Sequence, residues 1–427
     1  MTGLFQRDIL KQIIPWLQEK ELLVLLGARQ VGKTSILRLL QNHLRGEPVF
    51  YFDLESTFDM AHTASPEGFV EYLKTQGMSP HQRAYCFLDE IQYHPDPSKF
   101  LKVLHDHHPN IKLIVSGSSS FAIRQKFKDA LTGRKQVFQI LPLSFPEYLC
   151  FKEHGASSIK ASLNLQAILD DFTVARKYHT LTPEILPIWE EFVVYGGYPL
   201  PTLTVDTAKK EARLREIYNS YVQKDIKDLA RIDNILQFNN LVNFLAVQIS
   251  QLLKNDEVGK EVGLPISKLS NYLFLLENTF IISRLRPYHS NRQKELTKMP
   301  KLYFLDTGLR NTGLTDFRPL RLRPDSGALS ENQCLLELLK QANSNDKLFF
   351  WRTWDKHEVD FICSRGRGNF LPIEVKYKTM TQPRVPSGLK NFMRLYDCPT
   401  GVVFTKDYLN MTKDGEKQVT FIPAWMA

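Results

Sequence analysis

Short apolar runs alternate with longer mixed segments along residues 1–150. Each run is bounded by polar or turn residues, a pattern typical of strands that are buried in a parallel sheet. The intervening segments are long enough to form crossover helices, so this region predicts an α/β fold with a parallel-sheet core. The predicted strands are Glu21–Leu26, Val49–Leu54, Tyr85–Leu88, Ile111–Val115 and Gln136–Ile140, and the first predicted helix is Thr34–His43.

The pattern changes after this region and divides the rest of the chain into four parts. Residues 151–235 show helical periodicity and predict a helical lid. Residues 236–315 predict a compact helical unit that ends in a hairpin. Residues 316–327 are rich in proline and arginine and predict a linker. Residues 328–427 follow the order helix, three strands, helix, strand, which predicts a second α/β unit.

The composition narrows the class of protein. A chain of 427 residues, with 43% hydrophobic and 24% charged residues, predicts a soluble protein of two to four domains. No apolar run is long enough to span a bilayer, and no signal peptide opens the sequence. The five cysteines form no C-x-x-C pair, which argues against a zinc site and favours the reducing cytoplasm. The net charge of +9 permits a nucleic-acid partner without requiring one.

A phosphate-binding motif follows the first predicted strand. Residues 27–34 match G-x-x-x-x-G-K-[ST] and lead into a helix, which is the context that a P-loop needs. Lys33 would reach the β- and γ-phosphates of ATP, and the Thr34 hydroxyl would bind Mg²⁺. The side chains of Arg29 and Gln30 are expected to point away from the phosphates. The candidate nucleotide-binding residues are Gly27, Ala28, Arg29, Gln30, Val31, Gly32, Lys33, Thr34 and Ser35, together with Asp89.

Two acids follow the third predicted strand. Asp89 and Glu90 come directly after the apolar run Tyr85–Leu88, at the strand end where α/β sheets bind ligands. Asp89 would hold Mg²⁺, directly or through water. Glu90 would polarise the water that attacks the γ-phosphate.

These motifs resemble those of the AAA+ ATPases, and more closely a bacterial and archaeal branch in which a short AAA-type core precedes a C-terminal domain of unknown function. The resemblance rests on GARQVGKTSIL, CFLDEIQ, LIVSGSSS, LTGR, LPLSFPEYL and YGGYP, in that order. It implies Ser118, or else Ser116, as the polar residue that senses the γ-phosphate. It also implies Arg134 as an arginine finger, often provided by a neighbouring subunit, and hence a possible homo-oligomer. The alternatives are that the serine only caps the next segment and that the arginine only solvates a turn.

The predicted helical unit at 236–315 has the outline of a helix-turn-helix. A short helix meets the turn Gly263–Pro265, and a longer candidate recognition helix follows over Ser267–Glu277. The hairpin after it resembles the wing of a winged-helix domain and could neutralise DNA phosphates. The alternative is a protein–protein spacer with a solvated basic face. Its cations are Arg284, Arg286, Arg292, Lys294, Lys298 and Lys301, with Tyr288 and His289 among them.

The last predicted unit carries a second set of charged residues. Glu374 and Lys376 lie two apart on one predicted strand and therefore share a face. With Asp360 on the preceding strand, the element order resembles the PD-(D/E)xK restriction-endonuclease-like fold. That resemblance implies Asp360 and Glu374 as Mg²⁺ ligands, Lys376 as the group that activates water, and Glu331 as an accessory acid. A solvated strand face is the alternative.

Together these features predict an ATP-hydrolysing AAA-type protein. Its ATP state would control a C-terminal region that binds nucleic acid, most simply DNA, and is nuclease-like. The rival is an ATP-dependent switch or assembly protein whose last domain binds without catalysis.

Overall fold

The chain forms two compact units. The computed structural model describes residues 4–118, 131–154, 164–220, 234–289, 295, 298–342, 346–366 and 368–427. The described part of the first unit consists of residues 4–118, 131–141 and 274–280, and the remaining described residues belong to the second unit.

A parallel sheet forms the centre of the first unit. Within its described residues the strand order is β2-β3-β4-β1-β5, and every neighbouring pair is parallel. The strands are β1 Leu22–Gly27, β2 Val49–Asp53, β3 Ala84–Asp89, β4 Ile111–Gly117 and β5 Lys135–Ile140. The helices are α1 Leu10–Ile13, α2 Lys33–His43, α3 Thr57–His62, α4 Pro66–Thr75 and α5 Pro97–His107, with 3₁₀ turns at Ile14–Leu17 and Ile91–Tyr93.

Burial explains why these apolar runs form the central strands. Every residue of β1, β3 and β4 is buried, as expected for strands covered on both faces. Lys112 lies within β4, and its Nζ donates to backbone carbonyls that include Trp16 (2.7 Å) and Glu19 (2.9 Å). The α/β fold class and the predicted strands are confirmed, because each observed strand overlaps its predicted range.

Among the described residues, the second unit contains more helices than the first. They are α6 Phe145–Phe151, α7 Leu165–Asp170, α8 Phe172–His179, α9 Thr182–Tyr195, α10 Pro199–Thr202, α11 Thr207–Asn219, α12 Ile235–Val247, α13 Asn255–Val262, α14 Ile266–Asn278, α15 Thr307–Leu314, α16 Ser326–Gln341 and α17 Ser387–Leu395. The last residues of α14 are grouped with the first unit. Two further 3₁₀ turns occur at Leu320–Leu322 and Ala424–Met426.

Two sheets accompany these helices. The strands are β6 Ile282–Leu285, β7 Lys301–Phe304, β8 Lys347–Arg352, β9 Glu358–Ser364, β10 Phe370–Lys376, β11 Thr400–Thr405, β12 Asn410–Asp414 and β13 Lys417–Pro423. Strands β6 and β7 form an antiparallel pair, and the others form a mixed sheet of order β12-β13-β11-β10-β9-β8. The strand pair β12–β13 was absent from the sequence prediction.

Helices from the region predicted as a lid contribute to the core of the second unit. Trp189 and Phe192 of α9 are fully buried in one hydrophobic core with Leu335 of α16, Phe361 of β9 and Ile373 of β10. The observed boundary of the first unit lies at residue 141, ahead of the predicted boundary at 150. The physical reason is that the apolar face of these helices is covered by the C-terminal strands.

The predicted linker at 316–327 is also a packed segment. Leu320 is buried, and the Arg323 side chain is fully buried between acids. Its guanidinium donates to both carboxylate oxygens of Asp325 (2.9 Å each) and to the Asn311 side chain (3.1 Å). Asp316 and Asp325 thus hold Arg323 in place, and the assignment of residues 316–327 as a linker stays a prediction.

Candidate functional site

The P-loop joins β1 to α2 through two glycines with different tasks. A Cβ on Gly27 would lie 2.3 Å from the carbonyl oxygen of Ile140, so only glycine allows this close approach to β5. Gly32 has a φ of 97°, in the left-handed region that favours glycine, and α2 begins at the next residue. The loop thus delivers a helix N-terminus to the carboxyl edge of the sheet, the arrangement that binds phosphate.

Lys33 lies inside this loop. Its side chain is buried, and its ammonium donates to the carbonyl oxygens of Ala28 (2.9 Å) and Gly27 (3.2 Å). Arg7 supports the loop from behind, donating to the carbonyl oxygens of Val31 (2.9 Å) and Leu141 (2.8 Å). The lysine is therefore placed where an anion in the loop would meet its charge.

Asp89 is the centre of a hydrogen-bond network at the end of β3. Its carboxylate accepts from the hydroxyls of Thr34 (2.7 Å) and Tyr51 (2.9 Å), and from the Ser116 hydroxyl. The backbone N–H of Glu90 also donates to it (3.1 Å). Burial, and then the neighbouring Asp89 charge, raises the pKa of Tyr51 well above its ordinary value. Tyr51 therefore stays a donor to Asp89 throughout the physiological range.

Glu90 is held in an unusual backbone conformation. Its φ of 54° lies in the left-handed region, which costs free energy for a residue other than glycine and is typical of functional sites. The Gln92 side-chain amide donates to the Glu90 carboxylate (2.5 Å) and to the Ser118 hydroxyl (3.1 Å). Gln92 thus connects the predicted base to the predicted sensor.

The strand order explains how the serines join the acids. Strand β4 lies between β1, which precedes the P-loop, and β3, which carries Asp89. Its carboxyl end therefore places Ser116 beside Asp89 directly, while Ser118 meets Glu90 through Gln92. The structure brings both serine candidates to the site, and the sensor role of either one stays a prediction.

Arg134 lies away from this site within its own chain. It precedes β5, whose first residue Lys135 pairs with Leu22 at the start of β1. The P-loop begins at the other end of β1, about 17 Å away at ~3.3 Å per residue. The Arg134 guanidinium instead donates to the two carboxylate oxygens of Asp106 (2.7 and 3.1 Å).

The residues around Asp89 fit a magnesium ion. Thr34 and Asp89 offer a hydroxyl and a carboxylate, the hard oxygen ligands that Mg²⁺ prefers, within 2.7 Å of each other. They lie at the start of α2 and at the end of β3, beside the phosphate-binding loop. These two residues would hold the ion next to the phosphates.

A second cluster of charges lies in the second unit, and Lys301 is at its centre. Its ammonium lies 2.6 Å from Glu358 Oε1, 3.1 Å from Glu331 Oε1 and 3.3 Å from Asp360 Oδ1. The Tyr303 hydroxyl also donates to Glu331 (2.7 Å). Strand β7, helix α16 and strand β9 thus meet through these charged side chains. The sequence had predicted Lys301 as part of a basic hairpin surface. That assignment was wrong, because only 3% of its side chain is exposed.

The predicted pair Glu374 and Lys376 borders this cluster. Their side chains form an ion pair at 2.5 Å, and Asp360 on the neighbouring strand accepts from the backbone N–H of Val375 (2.9 Å). Burial, and then the Asp360 charge, raises the pKa of Glu374 to about 8 and that of Glu331 to about 7. The structure therefore brings the four predicted residues of this region together.

This cluster does not fit a metal ion as it is arranged. Among the residues that the structure describes, no group of three or more His, Cys, Asp or Glu side chains is placed to hold one. The donor chemistry is suitable, but Asp360 and Glu331 direct oxygens at the Lys301 ammonium. The metal-ligand roles of Glu331, Asp360 and Glu374 stay predictions.

The two helices predicted on either side of the glycine turn are present as α13 and α14, and Gly263 between them has a φ of 65°. Of the hairpin cations, Arg286 and Lys298 are exposed and Arg284 is half-buried. Arg292 and Lys294 lie outside the described residues. Tyr288 packs against the rings of Phe349, Phe370, Phe392 and Tyr396, so its role is structural.

A comparison with protein families finds a match to most of the first unit. Residues 19–149 match the family described as the AAA domain. This part of the chain is similar to AAA-type P-loop domains and is here called the AAA domain. Residues 186–319 and 326–425 match two families described as domains of unknown function, DUF8612 and DUF4143. Those two descriptions name no activity, so the winged-helix and nuclease-like interpretations stay predictions.

Relatives of the chain extend beyond the AAA domain. An uncharacterized protein of Haemophilus influenzae is 24% identical over 433 residues, covering 99% of this chain and 98% of that protein. Another from Methanocaldococcus jannaschii is 28% identical, covering 83% and 74%. The Walker-type ATPase of Pyrococcus abyssi has a solved structure that is 15% identical and covers 73% of this chain and 96% of that one, with a TM-score of 0.48.

Three residues of the AAA domain site were missed from the sequence. Tyr51 sits on a strand and carries no motif of its own, and Arg7 lies far from the P-loop in sequence. Gln92 offered a signal, because it follows Glu90 by two residues in the quoted CFLDEIQ.

Across the described residues of both units, helices that combine the length and apolarity of a membrane span are absent.

Proposed function

We propose that the AAA domain binds and hydrolyses ATP. The observation that supports this most is the direct hydrogen bond between Thr34 and Asp89, which unites the P-loop with the acidic end of β3. A glycine turn alone occurs by chance in many proteins. A P-loop threonine that contacts a buried aspartate from a second strand is the arrangement that Mg²⁺–ATP requires.

Each residue has a defined task in this proposal. The loop N–H groups and Lys33 would bind the phosphates, and Thr34 and Asp89 would hold Mg²⁺, which neutralises charge on the transferred phosphoryl group. Glu90 would orient the attacking water and accept its proton. Gln92 would fix the Glu90 carboxylate, and Ser118 or Ser116 would face the γ-phosphate. Arg134 would act on the γ-phosphate of the ATP bound by a neighbouring subunit.

Two substitutions test the assignment. Lys33→Ala should abolish nucleotide binding, because it removes the positive charge at the β- and γ-phosphates. Glu90→Gln should retain ATP binding and lower the hydrolysis rate by roughly 10²–10⁴-fold, the usual contribution of general base catalysis. Equilibrium binding and single-turnover hydrolysis measure the two effects. Hydrolysis by Glu90→Gln at the wild-type rate would refute Glu90 as the base.

The second unit defines a further candidate function. We propose that it engages nucleic acid under the control of ATP and that its site is nuclease-like. The observation in favour is the ion pair of Glu374 and Lys376 beside Asp360, with Glu331 approaching from α16. The rival is a binding module without cleavage, and the ion pairs of Lys301 favour it. Metal-dependent nicking of plasmid, linear and branched DNA, with and without ATP, separates these two functions.

A further inference from the structure

Carboxylates from different elements surround Lys301 in this cluster. The three carboxylates within 4 Å of its ammonium come from α16 and β9, while Lys301 itself comes from β7. The Tyr303 hydroxyl holds Glu331 in place (2.7 Å), and Tyr303 is itself fully buried. A surface lysine that happened to approach an acid would have neither this burial nor these converging partners.

The position of the ammonium has a consequence for metal binding. A divalent cation and an ammonium seek the same place, where several carboxylate oxygens converge, and like charges repel strongly at such short separations. Magnesium needs its oxygen ligands at about 2.1 Å, so an ion bound to Asp360 Oδ1 would lie close to the ammonium, which is 3.3 Å from that oxygen, and would be repelled by its charge. Each cation therefore disfavours binding of the other at these carboxylates.

A second observation is that one buried carboxylate oxygen beside the cluster is available to bind a cation. Glu374 Oε2 is buried and has no hydrogen-bond partner among the described residues, while Oε1 pairs with Lys376. A buried carboxylate oxygen without a partner is unfavourable unless a cation or donor satisfies it. It supplies a free ligand once a cation replaces the Lys301 ammonium.

We propose that the Lys301 ammonium occupies the position of a divalent metal ion in this cluster. It thereby prevents Asp360 and Glu331 from binding metal ions. This proposal rests on the candidate function of the second unit only in taking these acids as the ligands. Lys301 is then an inhibitory residue, and the bound metal of a nuclease-like site requires its displacement. Replacing its charge should convert the cluster into a metal site.

The test is Mn²⁺ binding to the full chain, measured by calorimetry without nucleotide. Lys301→Met should bind one more Mn²⁺ per chain than the wild type, at least ten-fold more tightly than any wild-type binding at this cluster. Lys298→Met is the matched control, because it removes a charge from the exposed end of the same hairpin. The double variant Lys301→Met/Asp360→Asn should lose the added site, which shows that the metal binds at the cluster.

A second variant keeps the test valid if Lys301→Met does not fold. Lys301→Met/Glu358→Gln removes one carboxylate together with the ammonium and so leaves less unbalanced charge, and it should show the same gain. Mn²⁺ should raise the melting temperature of either variant more than that of the wild type.

The outcomes separate this proposal from the nuclease function. Tight Mn²⁺ binding by the wild type with no gain in either variant overturns the role of Lys301 and leaves the nuclease function standing. No binding by any of these proteins refutes both. Binding only in the variants supports the role of Lys301 and contradicts a metal-dependent nuclease in the wild type under those conditions.

Discussion

Substitution of Arg134 distinguishes an arginine finger from a surface ion pair. The structure excludes action on the P-loop of the same chain, because β1 separates the two by about 17 Å. Two explanations of this residue then remain. Either it reaches the nucleotide of another subunit, or it only pairs with Asp106, whose carboxylate accepts two hydrogen bonds from it.

The two explanations predict effects of very different size. Arginine fingers accelerate phosphoryl transfer by about 10³–10⁵-fold, so Arg134→Ala should lose nearly all ATPase activity while still binding ATP. The guanidinium also holds the pKa of Asp106 well below its usual range, but both groups are solvent-accessible. Loss of this exposed pair alone should leave the hydrolysis rate within about two-fold of the wild type.

The matched control is Asp106→Asn, which removes the charge of the partner and keeps the arginine. A finger requires that Arg134→Ala fails while Asp106→Asn is nearly normal. Mixing Arg134→Ala with Lys33→Ala should partly restore turnover, since one kind of interface in the mixture has an intact P-loop and an intact finger. Equal, small effects of both single variants, or ATPase activity of a stable monomer, would refute the finger.

The remaining predictions concern the second unit. Replacing Arg284 and Arg286 by alanine should weaken DNA binding about equally for all sequences and flatten its salt dependence, as measured by titrations at several salt concentrations; an unchanged slope would assign the hairpin to protein contacts. Burial raises the pKa of Asp306 to about 6, so the free energy of unfolding should fall by roughly 2 kcal/mol as pH rises from 4 to 7, because the folded state holds this proton more tightly than the unfolded state. Urea unfolding should show that Asp306→Asn lacks this component. Arg323→Met should destabilise the second unit by about 3–5 kcal/mol in urea, because Asp316 and Asp325 lose a buried partner, whereas Arg321→Met, at an exposed position of the same segment, should be nearly neutral.

The sequence was most informative where burial and local spacing act together. The strands of the AAA domain could be predicted because an apolar run such as Leu22–Leu26 has few other stable environments. The acids Asp89 and Glu90 could be placed because carboxyl ends of parallel strands meet at one edge. These inferences need no knowledge of distant contacts.

The missed features depend on contacts between distant residues. Lys301 precedes Asp360 by 59 positions, and its residue type is usually exposed, so composition indicated a basic surface. Arg323 differs in that its acid partners, Asp316 and Asp325, are only seven and two positions away, but its burial depends on packing that a local pattern rich in proline and arginine does not show. Charged side chains that are buried by the packing of the folded chain are thus the ones that sequence patterns assign wrongly.

The carboxylates of Asp89 and Asp360 have different kinds of hydrogen-bond partner, and the difference has chemical consequences. Asp89 accepts from the hydroxyls of Thr34, Tyr51 and Ser116, which are neutral donors and leave its negative charge available to a cation. Asp360 instead faces the Lys301 ammonium, which cancels that charge. A hydroxyl can turn and leave its place to a metal at little cost, whereas a buried ammonium must itself find a new partner. In the proposed functions, Asp89 would therefore accept Mg²⁺ directly, whereas Asp360 would accept a metal ion only after a change that moves Lys301.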